Sequence, residues 1–410
     1  MSGLSATGVI GMQYRTVPKN GDRLSALGFG AMRLATRRGK IDEERATRQI
    51  RSAIDRGVNY VDTAVPYHGG ESERFLGRAL GDGYRERVKL ATKLPPFAVK
   101  TREDMDRILD VQLRKLKTDH IDYYLLHSLD AKNWAQLKGL GVLEFLDSAK
   151  ASGRIVNPGF SFHGDLRTFK EIIDAYDWTF CQIQYNFLDE QTQAGAEGLR
   201  YAAERQIAVM VMEPLRGGML ATSLPKEVQE IYKQSAYGRS AAAWGLRWVW
   251  NHPEVTVVLS GMNDERHIEE NLAASEDALP GAMTPAEVET VEQVAAVYRR
   301  SVKVGCTGCG YCLPCPAGVN IPQCFFLYNL YNTGGNRLFT RGMYGMNLMG
   351  VMGERADASL CRNCGRCTKA CPQQIDIPGE LAKVRRTLGG LRTRAILPIA
   401  RMLFRAEVIE

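Results

Sequence analysis

At 410 residues the chain is too long for one ordinary core, but it has room for a large barrel and a small companion domain. Its 45% apolar and 24% charged residues suit a protein that folds in water, and no run of about eighteen apolar residues is present to span a membrane. The formal charge of +7 is uneven: residues 301–410 hold 14 Lys/Arg against 6 Asp/Glu, yet no recognised nucleic-acid motif accompanies them, so no nucleic-acid partner is expected.

The start, Met1–Gln13, is small and apolar, without the basic region and apolar core of a secretory signal, and residues 1–11 read as a tail. From Ala26 onward, apolar runs of strand length alternate with segments of helical period. Strands are predicted over Ala26–Gly30, Asn59–Thr63, Val88–Lys93, Asp122–His127, Asn157–Phe162, Phe180–Tyr185, Ile207–Glu213 and Val255–Gly261. Helices are predicted between them, among them Glu43–Asp55, Arg102–Lys117, Val142–Ala151, Ala194–Arg205, Ser240–Trp250 and Arg266–Ser275, with Gly57, Gly153 and Gly261 as punctuation. Eight strands, each followed by a helix, are the pattern of a (β/α)8 TIM barrel within the α/β class. A doubly wound sheet would show a glycine-rich fingerprint after its first strand; Gly28-Phe29-Gly30 runs into Met32 and Leu34 instead.

In such a barrel chemistry belongs at the carboxyl ends of the strands. Asp62, Lys93 and His127 fall at the ends of the second, third and fourth strands, and Tyr67 in the loop after the second. Each has an ordinary structural use alone, as a cap, a core aromatic, a surface charge or a satisfied core histidine. Four adjacent rim positions filled by groups suited to proton transfer favour a catalytic use.

These residues, together with Met12-Gln13-Tyr14-Arg15, Leu27-Gly28-Phe29-Gly30 and Asp62-Thr63-Ala64, resemble the aldo-keto reductase superfamily over roughly residues 12–300. The resemblance implies that Tyr67 is the general acid, that Lys93, held by Asp62, lowers the phenol's pKa, and that His127 orients and polarises the carbonyl. It also implies a nicotinamide site. Ser161 and Gln184, with Tyr185-Asn186 following, stand for the family's Ser-Asn and Gln-x-x-Tyr-Asn, while His163 occupies the place of Asn and Met212 lies near that of the stacking Tyr. Pro214, Leu215 and Gly217 belong to a segment similar to the loop over the pyrophosphate. Ser260, Gly261 and Met262 open the segment after the last strand, and Asn271 matches the adenine contact. Met262 replaces the basic residue that meets a 2′-phosphate, leaving Arg266 and His267 as substitutes, so NAD(P)(H) is expected with the choice between NAD and NADP open.

Beyond Arg300 the pattern changes. Cys306, Cys309, Cys312 and Cys315 are spaced two apart and followed by Pro316; Cys361, Cys364, Cys367 and Cys371 show the C-x2-C-x2-C-x3-C-P spacing of bacterial [4Fe–4S] ligation. A zinc ribbon also uses paired cysteines, but not four in a row before a proline. By the two-cluster rule Cys306, Cys309, Cys312 and Cys371 hold one [4Fe–4S] cluster, and Cys361, Cys364, Cys367 and Cys315 the second. Cys324 is the reserve ligand should Cys315 fail, and Cys181 reads as a buried small apolar residue. Thiolate–iron centres imply a reducing, cytoplasmic setting. Each cluster carries roughly two negative charges, so two would halve the tail's basic excess, and the remainder could attract an acidic redox partner protein. Phe325–Met352 reads as core, and Arg392–Arg405 as a domain-closing helix.

The layout is thus similar to aldo-keto reductases bearing a carboxyl-terminal ferredoxin-type 2x[4Fe–4S] domain over residues 301–410. It implies an oxidoreductase interconverting a small-molecule carbonyl and an alcohol, with clusters relaying electrons to or from a partner. Membrane association is not expected. Hydride chemistry moves two electrons and each cluster one; a flavin, a radical-forming substrate or a redox-sensing role would each reconcile the two. The alternative is an electron-transfer or redox-sensing protein whose barrel is not nicotinamide-dependent.

Overall fold

The computed structural model describes residues 11–222, 224–333, 337–350, 354–390 and 393. The first ten residues, residues 334–336 and 351–352 of the segment 325–352, and all of the predicted closing helix over 392–405 except Thr393 lie outside them. The described residues form two compact units, one drawn from 11–215 and 240–288, the other from 216–239 and 289–393.

The first unit is a closed barrel of eight parallel strands. They are β1 (Leu27–Gly30), β2 (Tyr60–Asp62), β3 (Lys89–Leu94), β4 (Ile121–Leu129), β5 (Ile155–Phe162), β6 (Phe180–Gln184), β7 (Ala208–Met212) and β8 (Val255–Ser260). Every strand pairs with its neighbours in sequence and β8 pairs with β1 to close the ring. All eight fall where the apolar runs place them. Strands covered by helices outside and side chains inside must be apolar on both faces, which is why the runs are nearly continuous.

The helices are started by local chemistry. Asp42 accepts the N–H of Arg45 to open Glu43–Asp55, Thr101 and Asp104 form a capping box at Arg102–Leu116, and Asp165 accepts the N–H of Thr168. Gly57 and Gly153 take positive φ values of 102° and 75°, releasing the chain from a helix into the next strand. Inside the barrel Tyr60, Tyr123, Phe180 and Met210 pack together, with Val17 and Leu24 from the hairpin Tyr14–Thr16/Arg23–Ser25 against the same cluster. Phe180 lies opposite Gly159 in register, and a Cβ on Gly159 would sit 2.3 Å from the Phe180 ring. That glycine makes room for the aromatic filling of the barrel.

The second unit is helical. Ile321–Asn332, Arg337–Leu348 and Ile377–Leu388 enclose a core that includes Phe325, Leu327, Tyr344, Leu348, Leu381 and Val384. Part of 325–352 therefore serves as core, as its composition implies, while Phe326, Leu338 and Phe339 in the same segment are exposed. Six of the clustered cysteines, Cys306, Cys312, Cys315, Cys361, Cys367 and Cys371, pack half-buried against that core. Among the described residues no helix is long and apolar enough to cross a membrane.

Candidate active site and cysteine centres

Strand ends bring the four rim residues into one buried group. Asp62 ends β2, Lys93 lies in β3 and His127 in β4, while Tyr67 opens the turn Tyr67–Gly70 that follows Pro66. Lys93 is fully buried, and its Nζ donates to both oxygens of Asp62 at 2.7 Å, to the Thr63 carbonyl at 2.8 Å and to the Tyr67 hydroxyl at 3.4 Å. The ammonium thus has four oxygens within reach, of which the phenol is the most distant. Burial pushes the Lys93 pKa down while Asp62 pushes it back up; burial likewise raises that of Asp62, opposed by Lys93. In so enclosed a pair each charge persists because of the other.

His127 stands edge-on to Tyr67, the ring centres 6.3 Å apart at 81°. Burial, then the charge of Lys93 and the neighbouring His163, hold His127 well below the ordinary histidine range, so the ring is neutral at physiological pH. The loop is held from the other side by His68, whose Nε2 accepts the backbone N–H of Leu34 at 3.1 Å. This arrangement can hold a carbonyl oxygen between a phenol and a neutral imidazole, with a cation behind the phenol.

Residues 26–295 match the Aldo/keto reductase family. The chain belongs to that family. A methylglyoxal reductase from Escherichia coli is 27% identical over 285 residues, 66% of this chain and 93% of that one. Among solved structures, an aldo-keto reductase of Bacillus halodurans in its holo form is 25% identical with a TM-score of 0.59, covering 69% of this chain and 96% of that one. An aldo/keto reductase of Klebsiella pneumoniae in complex with NADP and acetate is 25% identical with a TM-score of 0.56, covering 68% and 94%. Residues 305–377 match a 4Fe-4S dicluster domain.

The other residues of this aldo/keto reductase's rim are placed as follows. Ser161 Oγ accepts the N–H of Ser128 at 2.8 Å, and Ser260 Oγ accepts from Asn271 Nδ2 at 2.9 Å. Gly261 lies against the Arg33 side chain, and Pro214 and Leu215 pack over Gly245. Met262 is fully buried, whereas Arg266 is turned onto Asp264, whose carboxylate also caps the helix Glu265–Ser275. Gly217 belongs to the second unit, where it takes φ +67°. Gln184, expected to face a nicotinamide, has its amide engaged by Asp189 and Gln193. The spacing Gln-x-x-Tyr-Asn fits Gln182 with Tyr185 and Asn186, and counting it literally picks out Gln182. That residue sits on β6 two positions beyond Phe180, with Nε2 3.6 Å from Met212 Sδ and a buried Oε1 that has no hydrogen-bond donor among the described residues.

All ten cysteines lie among the described residues and no disulfide joins any of them. A concave pocket is lined by Cys306, Cys309, Cys312 and Cys371, together with Ile321, Phe325 and Ile377. Burial pushes the Cys312 thiol up to about 12, with Cys306, Cys309 and Cys371 adding to the shift, so these four are mutual neighbours. Cys367 is raised by burial and then by Cys361 and Cys315, which joins the fourth cysteine of the first run to the second run.

The two loops also share a backbone. Gly308 and Gly310 in one, and Asn363 and Gly365 in the other, are left-handed, and the N–H groups of Gly308 and Asn363 point at Cys306 Sγ (3.4 Å) and Cys361 Sγ (3.5 Å). Thiolates with backbone donors, beside the amino ends of Ile321–Asn332 and Ile377–Leu388, suit an anionic cluster. Those helices begin with the same signal, Val-Asn-Ile-Pro and Ile-Asp-Ile-Pro after Cys315 and Cys371, with Asn320 and Asp376 as caps. This internal repeat was open to a sequence reading that looked for it. Cys324, by contrast, is fully buried beside Tyr344 and the Ala356 carbonyl, with its thiol pushed up to about 12. It is part of the core.

Proposed function

We propose that this protein reduces a small-molecule carbonyl, or oxidises the corresponding alcohol, at the Asp62–Tyr67–Lys93–His127 rim. The observation that carries the reading is the fully buried Lys93 ammonium, fixed by Asp62 and 3.4 Å from the Tyr67 hydroxyl. In the reducing direction Tyr67 gives its proton to the carbonyl oxygen, and the phenolate left behind meets the charge of Lys93. Neutral His127 orients the same oxygen by hydrogen bonding and carries no charge that would compete with Lys93. A reduced nicotinamide, when bound, supplies the hydride.

The acidic start of the helix after β8 supports NADH over NADPH. Asp264 and Glu265 stand where a 2′-phosphate would be read, Met262 offers no cation, and Arg45 and Arg266 are already paired with these carboxylates. For the cysteines we propose Cys306, Cys309, Cys312 and Cys371 as the ligands of one cluster and Cys361, Cys364, Cys367 and Cys315 as those of the other. The clusters, when bound, supply one-electron transfer, and the basic surface of Arg362, Arg366 and Lys369 fits an acidic redox partner in the cytoplasm.

Tyr67→Phe tests the core of the proposal. It should lower carbonyl reduction by about 10²–10⁴-fold while leaving NADH binding and the brown chromophore intact. Retained activity removes Tyr67 as the acid. If anaerobically purified protein with both clusters binds neither NADH nor NADPH, the barrel is not a nicotinamide enzyme and an electron-transfer or redox-sensing role replaces this one.

A further inference from the structure

A chain of hydrogen bonds at the ends of β5 and β6 has a direction, and that direction fixes a tautomer. It begins at Asp189, which is buried and whose carboxylate can only accept. Gln184 Nε2 and Asn186 Nδ2 both donate to Asp189 Oδ2 at 2.8 Å. Gln184 therefore turns its nitrogen toward Asp189 and its oxygen away. That oxygen accepts from Gln193 Nε2 at 3.4 Å, which leaves Gln193 Oε1 facing the ring of His163, 3.2 Å from Nδ1. An acceptor opposite Nδ1 requires the hydrogen there, so Nε2 keeps its lone pair.

His163 is anchored at the rim. It follows β5, its backbone N–H donates to the Leu129 carbonyl at the end of β4 (2.8 Å), and it is near enough to bias the titration of His127. Burial holds its own pKa at about 4, so the ring remains neutral under physiological conditions. Among the described residues no group donates to Nε2. On β6, in register with Ser161, Gln182 spends its Nε2 on the Met212 thioether and offers a second bare acceptor in its buried Oε1. The rim of β5 and β6 thus presents acceptors where an amide side chain at position 163 would offer both a donor and an acceptor.

We propose that Asp189 is a positioning residue which, through Gln184 and Gln193, holds His163 in its Nδ1–H form, so that Nε2 is an obligate acceptor for the amino group of a nicotinamide carboxamide. The ligand named here rests on the nicotinamide reading above; the tautomer does not. Gln184 is then a relay within the protein and not a cofactor contact.

The test has two parts, both on the full-length protein purified anaerobically. In ¹⁵N-histidine-labelled protein without dinucleotide, His163 should show the shifts of an Nδ1–H imidazole, and Asp189→Asn, isosteric but able to turn either way, should bring in the Nε2–H form. An Nε2–H ring in the wild type, or an unchanged tautomer in Asp189→Asn, overturns the relay. In the second part, binding of NADH is compared with that of the reduced 3-acetylpyridine analogue, which has a ketone in place of the carboxamide and no N–H to give. The wild type should prefer NADH by about tenfold, the worth of one buried hydrogen bond. His163→Phe should abolish the preference and His163→Asn should restore it. Equal binding of the two by the wild type overturns the assignment to the carboxamide. Failure of both to bind overturns the proposed function and with it this ligand, while the tautomer result still decides the relay.

Discussion

Replacing Asp62 by Asn probes the pair on which the rim depends. Lys93 is fully buried, and its Nζ would keep neutral acceptors alone, the Thr63 carbonyl at 2.8 Å, the Tyr67 hydroxyl at 3.4 Å and at most the one oxygen of the new amide, with its adjoining carboxylate gone and only the weaker influence of Glu73 left. Breaking a buried ion pair from one side costs about 3–5 kcal/mol, because the remaining charge is stranded away from water. Burial already lowers the Lys93 pKa and Asp62 is the first influence raising it, so the variant's lysine should sit far lower still. The sign follows. A lysine with a depressed folded pKa loses stability wherever only the unfolded chain takes the proton, so the deficit is full at neutral pH and shrinks as pH rises toward about 10.4.

Lys93→Met should cost a similar amount by stranding the carboxylate, and the double variant Asp62→Asn/Lys93→Met should recover most of the loss. Urea unfolding followed by tryptophan fluorescence is the assay, since all five tryptophans, Trp134, Trp178, Trp244, Trp248 and Trp250, lie in the barrel unit. Additive single losses, or a deficit below about 1 kcal/mol for Asp62→Asn, would refute the reasoning.

His163, held at about 4, makes the folded barrel harder to protonate than the unfolded chain, so stability should fall as pH drops from about 6.5 toward 4. His163→Asn should remove about 2 kcal/mol of the decline between pH 7 and 5, and parallel urea midpoints for the two proteins over that range would contradict this. Gly159→Ala places a methyl 2.3 Å from the Phe180 ring and should destabilise the barrel by about 1–3 kcal/mol, with Phe180→Leu in the same background relieving part of the loss. If the alanine is silent, β5 and β6 can part there without cost. Anaerobic iron and sulfide analysis should find about half the wild-type iron in Cys361→Ala and all of it in Cys324→Ser, because only the first residue belongs to a cysteine group. The reverse result would reassign the ligands.

Much of this protein is legible in its sequence alone. The barrel strands and several helix bounds, Glu43–Asp55 and Val142–Ala151 among them, follow from apolar runs and caps that act within a few residues. Such local signals survive because strand and helix periods are properties of the backbone. The cysteine spacing pointed to iron–sulfur chemistry for a similar reason: three thiolates within seven residues can wrap one centre whatever surrounds them.

Other features are products of the assembled ring alone. Asp62 and Lys93 are 31 positions apart, and their pairing at 2.7 Å exists because β2 and β3 are neighbours with those side chains at one end. Sequence shows Gln184 as an amide near a motif whose literal spacing picks out Gln182, but not which partner the Gln184 nitrogen meets. Only the fold brings Asp189 beneath it and Gln193 beside it. Composition and period determined the barrel, the rim and the metal-binding tail; the tertiary structure decided which polar atoms face one another. The contact that carries the hydrogen-bond direction on to His163 joins positions thirty residues apart, and so it is set only when β5 and β6 lie side by side.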